Sequence, residues 1–188
     1  MRIVGGRFKG RNLATPKSQD IRPTTDRVRE SLFNILAHWP SDIVTDARVL
    51  DLFAGTGALG LEALSRGAHS ALFVELSSEG RGLIRQNIEK LGLTGCTKIS
   101  RRDATQPGPA GKSKPYTLIF ADPPYGKGLG EKALIAAHQN GWFSDDATII
   151  LEENASANVE LPPPFDKVEE RKFGDTVIHI FRLADDAR

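Results

Sequence analysis

The chain has 188 residues, with 25 basic and 24 acidic side chains, a net charge of +1 and an apolar content of 39%. That length supports one substantial core and excludes two comfortable domains, so residues 1–188 are expected to form one domain, and the near-zero charge excludes a global polyelectrolyte. Cys96 is the only cysteine, which excludes an intrachain disulfide and points to a reducing, cytoplasmic setting.

Charge is unevenly placed. Residues 1–23 carry six basic side chains (Arg2, Arg7, Lys9, Arg11, Lys17 and Arg22) against the single acid Asp20, a local balance of +5 that leaves −4 for residues 24–188. A basic N-terminal extension preceding a core is the natural division. Within it, residues 2–13 suggest two short strands around Gly5-Gly6, a β-hairpin in which Arg7, Lys9 and Arg11 project from one face and Phe8 from the other. Val28, Leu32, Ile35 and Leu36 then repeat at helical spacing after Thr24-Thr25-Asp26, which offers several N-caps. A covering role against a sheet suffices for this helix.

From Arg48 onward short apolar runs alternate with helical segments, the pattern of an α/β sheet with helices on its faces. Strands are expected at 48–52, 71–75, 98–102, 117–121 and 148–152. Helices are expected at 58–65, stopped by Gly67, at 78–91, stopped by Gly92, and at 129–137. Residues 106–115, rich in Gly, Pro and Lys, suggest a mobile loop. Segments 167–173 and 176–182 flank Gly174-Asp175, a two-residue turn signal, so the sheet should finish with an antiparallel hairpin. A mostly parallel sheet ending this way separates a methyltransferase-type Rossmann-like fold from a nicotinamide-binding one.

Residues 51–60, Asp-Leu-Phe-Ala-Gly-Thr-Gly-Ala-Leu-Gly, follow a strand and open a helix, so Gly55 and Gly57 permit a tight turn and close approach of backbone to a ligand. With Gly60 they satisfy G-x-G-x-x-G, which alone would suggest NAD. Asp51 argues otherwise. At the mouth of such a site its charge opposes a dianionic pyrophosphate and favours the ammonium and sulfonium of S-adenosylmethionine (SAM). Glu75 ends the next strand, where a carboxylate can accept both ribose hydroxyls; Asp103 and Ala104 end the third, where they can meet an adenine edge. The plainer role for Glu75 and Asp103 is helix capping.

The fourth strand ends in Asp122-Pro123-Pro124-Tyr125. An exocyclic amine on a nucleobase has its lone pair delocalised into the ring, so it is a poor nucleophile until acceptors gather its protons. Asp122 can supply one acceptor. The Pro123 carbonyl can supply a second, because each proline, Pro124 included, biases its predecessor toward extended backbone and fixes carbonyl directions. Tyr125 could stack on the base, worth roughly 1–3 kcal/mol per base at comparable sites. A Pro-rich turn is the bland alternative; the flanking acid and aromatic ring favour the site.

Together, residues 51–60 and Asp122-Pro-Pro-Tyr125 resemble the SAM-dependent amino-methyltransferases, a group acting on adenine N6, cytosine N4, guanine N2 and glutamine amides. A narrower resemblance, to the bacterial 16S rRNA guanine-N2 methyltransferases of the RsmD type, rests on residues 2–7 (Arg-Ile-Val-Gly-Gly-Arg), 22–34 (Arg-Pro-Thr-Thr-Asp-Arg-Val-Arg-Glu-Ser-Leu-Phe-Asn) and 51–66. It implies a class I methyltransferase sheet of seven mostly parallel strands with an N-terminal β-hairpin extension. It also implies action on one guanine of 16S rRNA within the small ribosomal subunit or its assembly intermediate. By matching positions, Arg22 to Thr25 would lie beside cofactor and target base, with Thr25 at the cofactor. Arg2, Arg7, Lys9, Arg11 and Arg22 are the candidate rRNA contacts, and a monomer is expected.

Two other readings compete. A methyltransferase of DNA adenine N6 needs a target-recognition domain that this length does not accommodate, and a protein glutamine-N5 enzyme usually opens the motif with Asn. A non-catalytic RNA-binding assembly factor on a methyltransferase fold would not need Asp51, Gly55, Gly57 and Asp122 intact. The N-terminus lacks the apolar stretch of a signal peptide, and no run approaches the roughly 20 apolar residues of a membrane span. His38, His69, His138 and His179 lack ligand spacing, so no protein-bound metal is expected.

Overall fold

The computed structural model describes residues 1–17 and 24–185; Arg22, one of the candidate RNA contacts, lies outside them. Among the described residues the chain runs α1 (Asp26–Leu36), β1 (Arg48–Leu52), α2 (Ala58–Ser65), β2 (Ser70–Val74), α3 (Ser78–Leu91), β3 (Thr97–Ser100), β4 (Tyr116–Ala121), α4 (Leu129–Gln139), β5 (Phe143–Asn154), β6 (Phe165–Phe173) and β7 (Thr176–Leu183). The strands form one seven-stranded sheet in the order β3-β2-β1-β4-β5-β7-β6, in which every pairing is parallel except those of β7 with β5 and β6. The expected parallel sheet and closing hairpin are both present. Strand order reverses between β1 and β4, the switch point at which open α/β sheets leave a crevice beyond their carboxyl ends.

Strand periodicity divides the core. Val49, Leu118, Phe120, Ile150, Ile178 and Ile180 pack with α1, α2 and α3 on one face, whereas Leu50, Leu52, Ile119, Ala121, Ile149 and Leu151 pack with Ala133, Leu134 and Ala137 of α4 and with Trp142 on the other. Asp51, in phase with Val49, therefore points toward α2. Asp122 and Glu152 continue the phase of Phe120 and Ile150, which are paired in register, so both face the α1 side.

The bounds of β1, α2 and α3 coincide with the sequence expectation. β5 is longer, because Phe143 pairs with Tyr116 across a register shift that the polar run Ser144-Asp145-Asp146 conceals. Residues 106–115 form a loop, as expected, that is tethered to the core at several points. Trp142 Nε1 donates to the Gly108 carbonyl at 2.7 Å, Ala110 N donates to Asn140 O at 3.1 Å, and Arg102 Nη1 bonds the Pro107 carbonyl.

The N-terminal segment pairs antiparallel as expected, but over a shorter span, Ile3 N donating to Arg11 O at 2.9 Å and Leu13 N to Met1 O at 3.0 Å. One antiparallel bridge, Arg2 with Asn12, forms, but Gly6–Phe8 make a 3-10 turn in place of strand, so Arg7, Lys9 and Arg11 do not alternate along an extended backbone. The reason is α2. Ser65 Oγ donates to Gly5 O at 2.6 Å and accepts from Phe8 N at 3.0 Å, pulling the chain around the helix, and Gly6 adopts φ +74 where a Cβ would stand 2.0 Å from Ser65 O. Every residue of α2 is consequently buried, Glu62 at 0% exposure. Glu62 binds Arg66 Nε at 2.9 Å and Val4 N at 3.0 Å, and lies 3.5 Å from the fully buried Arg29, whose Nη2 also bonds Arg2 O. The extension is thus stitched to the core through its backbone, leaving its basic side chains outside.

Candidate functional site

One cavity of about 720 Å³ opens beyond the carboxyl ends of β1, β2, β3 and β4, and Asp51, Gly55, Glu75, Asp103, Ala104, Asp122, Pro123, Pro124 and Tyr125 all line it. That size is in the usual range for small-molecule sites.

At its floor the chain leaves β1 through Phe53 (φ 56) and Gly55 (φ 58) and reaches Gly57 (φ 79), the residue before α2. Gly57 offers no side-chain cap, and the amide of Gly60, in the first turn, is met instead by Asp51 Oδ2 at 3.0 Å. The carboxylate therefore occupies the anion-favouring end of α2 that a dinucleotide's pyrophosphate would otherwise take. Gly60 is glycine for packing: a Cβ there would stand 2.5 Å from Phe73 Cε1. Asp51 lies deeper than the mouth position expected of it. At 1% exposure its carboxyl is raised to about 8, chiefly by desolvation, with the Gly60 bond opposing and the Glu75 charge adding to the rise.

Glu75, the first residue past β2, holds the loop from the other side, accepting Gly55 N at 2.7 Å through Oε2 and Ser77 N at 2.9 Å through Oε1. Both oxygens keep acceptor capacity, since a carboxylate offers about four lone-pair sites. Next to it Leu76 is 58% exposed into the cavity, one of two large hydrophobics left so open among the described residues. Asp103 Oδ1 accepts both the amide and the hydroxyl of Thr105, at 2.9 and 2.7 Å. The Thr105 hydroxyl bond, first among the causes, lowers the Asp103 carboxyl and keeps it ionised.

At the other end of the cavity Asp122 is half-buried. Burial first, then the charge of Glu152, hold its carboxyl well above the usual range; the Thr24 hydroxyl opposes, and Asp51 and Glu153 add to the rise. Tyr125 turns back toward β5, its hydroxyl donating to Glu152 Oε1 at 2.5 Å and lying 3.3 Å from Thr176 Oγ1. Burial and donation to Glu152 push the phenol above its ordinary range. Gly126 N donates to Glu153 Oε1 at 2.9 Å, fixing the segment after the motif.

Glu152 was not anticipated here, and Thr24, expected beside cofactor and base only as part of the stretch from Arg22 to Thr25, takes the place given to Thr25. Thr24 lines the cavity and donates to Glu152 Oε2 at 2.8 Å, with Asp122 Oδ2 at 3.2 Å, whereas Thr25, expected at the cofactor, caps α1 by accepting from Val28 N at 3.3 Å and is not among the lining residues. The choice between adjacent threonines depends on where α1 starts. Glu152 was legible only as a strand-end residue; the Phe120–Ile150 register is what sets it beside Asp122. The candidate RNA-contacting residues Arg2, Arg7, Lys9 and Arg11 are exposed, as the basic extension requires. They stand apart from the cavity lining, though Met1 of the same segment joins it.

A family model described as "Conserved hypothetical protein 95" matches residues 1–182. The ribosomal RNA small subunit methyltransferase D of Escherichia coli K12 is 40% identical over 165 residues, covering 87% of this chain and 79% of the relative. The chain belongs to the RsmD family. Among solved structures, yhhF from Escherichia coli superposes with a TM-score of 0.83 at 35% identity, covering 98% of each chain. An RNA methyltransferase from Salinibacter ruber, in complex with S-adenosyl-L-homocysteine, shares the fold at a TM-score of 0.66 and 12% identity, covering 89% of this chain and 97% of its own. The sheet of this RsmD-family chain is accordingly that of the class I SAM-dependent methyltransferases.

Proposed function

We propose that this protein methylates the N2 amine of one guanine of 16S rRNA in the small ribosomal subunit or its assembly intermediate, with SAM as donor, and that it works in the cytoplasm. The observation that carries the proposal is the shared cavity: acids at three strand ends and an amine-accepting Asp-Pro-Pro-Tyr segment at the fourth line one space. Membership of a family whose relatives are ribosomal RNA small subunit methyltransferases selects rRNA among amine-bearing substrates.

The residues fit SAM. Glu75 and Asp103 have acceptor capacity for ribose and adenine, Leu76 gives an open apolar surface for a flat ring, and buried Asp51 offers charge compensation to a cationic ligand. Bound SAM supplies an electrophilic methyl group on sulfonium. The protein's own contribution is alignment. Asp122 and the Pro123 carbonyl accept hydrogen bonds from the two N–H groups of the amine, which favours its turning out of the ring plane, and Tyr125 presents a face for the base. After transfer the amine's surplus proton is acidic, so Asp122 need not be a strong base. A base inside a duplex or packed rRNA must be presented or flipped to reach this cavity, and the basic side chains of the extension supply phosphate contacts.

Incubating the protein with radiolabelled SAM and small subunits from a strain lacking it, then digesting the rRNA to nucleosides, tests the reading. Label in N2-methylguanosine is expected. Label in N6-methyladenine, or none in rRNA, overturns it.

A further inference from the structure

Glu152 lies outside the Asp-Pro-Pro-Tyr segment, yet it bonds the Tyr125 hydroxyl directly and shares the Thr24 hydroxyl with Asp122. It stands on β5 at 6% exposure, its Oε1 receiving the Tyr125 hydroxyl at 2.5 Å and its Oε2 the Thr24 hydroxyl at 2.8 Å. The Thr24 hydroxyl has one proton and lies 3.2 Å from Asp122 Oδ2, so Glu152 and Asp122 compete for it. The Tyr125 ring is consequently held at two points, its backbone in the motif and its hydroxyl on β5. A ring held that way keeps its long axis in place when no base is present, which lowers the cost of presenting it as a stacking surface.

We infer that Glu152 is a positioning residue for methyl transfer, fixing where the Tyr125 ring stands through the phenol hydroxyl and competing with Asp122 for the Thr24 hydroxyl. The inference rests on the roles proposed above for Asp122 and Tyr125. It carries a second consequence, because the groups bearing on Asp122 are Glu152 and Glu153 from β5, Asp51 from β1 and the Thr24 hydroxyl, and Glu152 is the strongest of the charges. Removing that charge alone makes Asp122 easier to ionise.

The test compares wild type, Glu152→Gln, Tyr125→Phe and the double variant on the same small subunits, reading N2-methylguanosine formed, kcat and kcat/KM from acid to neutral pH, and SAM affinity by calorimetry. Glu152→Gln is nearly isosteric but offers one acceptor oxygen for the two hydroxyls that Glu152 receives; unchanged SAM affinity serves as the check on folding. Expected are a kcat about 10- to 100-fold lower for Glu152→Gln and for Tyr125→Phe, and a double variant no worse than the poorer single one. The acid limb of kcat/KM moves to lower pH for Glu152→Gln and stays in place for Tyr125→Phe. A Glu152→Gln profile with its acid limb unmoved, or a kcat equal to wild type, overturns the inference while leaving the proposed function intact. Wild type that forms no N2-methylguanosine in the same assay overturns the function itself, and this inference with it.

Discussion

Asp51 Oδ2 accepts the amide of Gly60 at 3.0 Å, so a strand carboxylate caps the helix that follows it. The arrangement stabilises α2 at the cost of a desolvated acid. Its carboxyl, raised from 3.8 to about 8, keeps its proton in the folded protein where the unfolded chain releases it. Stability therefore falls as pH rises from about 4 to about 8 and is level beyond.

Asp51→Asn removes that dependence while keeping an oxygen for Gly60. The ligand-free variant should be more stable than wild type near pH 8, with a Tm gain of about 2–4 °C per kcal/mol, and the gain should shrink toward pH 4. SAM binding should respond in the opposite sense: affinity rises with pH in wild type as Asp51 ionises, and is weaker and flatter in the variant. Thermal melts and calorimetry across this range check both. A Tm difference that does not change with pH rules out the buried charge as its source.

Asp122→Ala leaves the Pro123 carbonyl as the one acceptor of the pair at the amine. Single-turnover methylation should fall at least about 100-fold with SAM affinity within twofold or so, because the loss is confined to alignment. In wild type, activity should decline as pH falls through a midpoint above the ordinary carboxylate range, since burial and Glu152 raise the Asp122 carboxyl and protonation removes its charge and part of its acceptor capacity. Undiminished guanine methylation by the alanine variant would remove Asp122 from the mechanism.

Much of this was readable in the sequence because it is local. The ends of α2 and α3 follow from glycine stops and the start of α3 from N-cap chemistry, Ser77 capping it through Gly80 N and Gly92 closing it at φ 68. The acids sit at strand ends because apolar runs announce strands one at a time. What escaped depends on pairing between distant segments. Glu152 meets Asp122 only through the β4–β5 register, and Ser65 and Glu62 reshape the N-terminal segment from 57 to 60 residues away in sequence. Hydrophobic periodicity carries no information about such pairings. The tethering of residues 106–115 by Trp142 and Asn140 escaped for the same reason.

The buried pair of Glu62 and Arg29 gives a stability prediction. Glu62→Ala leaves Arg29, at 0% exposure, with Asp26 as its remaining acid and releases Val4 N and Arg66. Breaking a buried pair from one side costs about 3–5 kcal/mol, so Tm should drop by roughly 10 °C. Trypsin should at the same time cut faster at Arg7, Lys9 and Arg11 as the extension lifts from α2. A small Tm change with unaltered cleavage would show that Ser65, Asn87 and Lys90 hold the segment without the pair; these three also bond its backbone.

The anchoring also sharpens what the basic extension contributes to RNA binding. Arg2 is not equivalent to the rest, because its Nε lies 3.6 Å from Asp26 Oδ2, whereas Arg7, Lys9 and Arg11 make no ion pair among the described residues. Since the segment is held chiefly by its backbone, these three side chains can be neutralised without dismantling it, although Arg7→Gln also gives up a 4.5 Å contact over the Phe8 ring. The triple Gln variant should bind rRNA or small subunits more weakly, its log K against log[salt] slope falling by about 0.7–0.9 per lost phosphate contact. Arg2→Gln alone should change that slope least, because Asp26 already offsets its charge. SAM affinity should be unaffected in both, since none of the four side chains lines the cavity. Titrations at several salt concentrations decide it: a triple variant with the wild-type slope places the phosphate contacts elsewhere on the surface, and a loss of SAM affinity shows that the extension shapes the cavity through more than Met1.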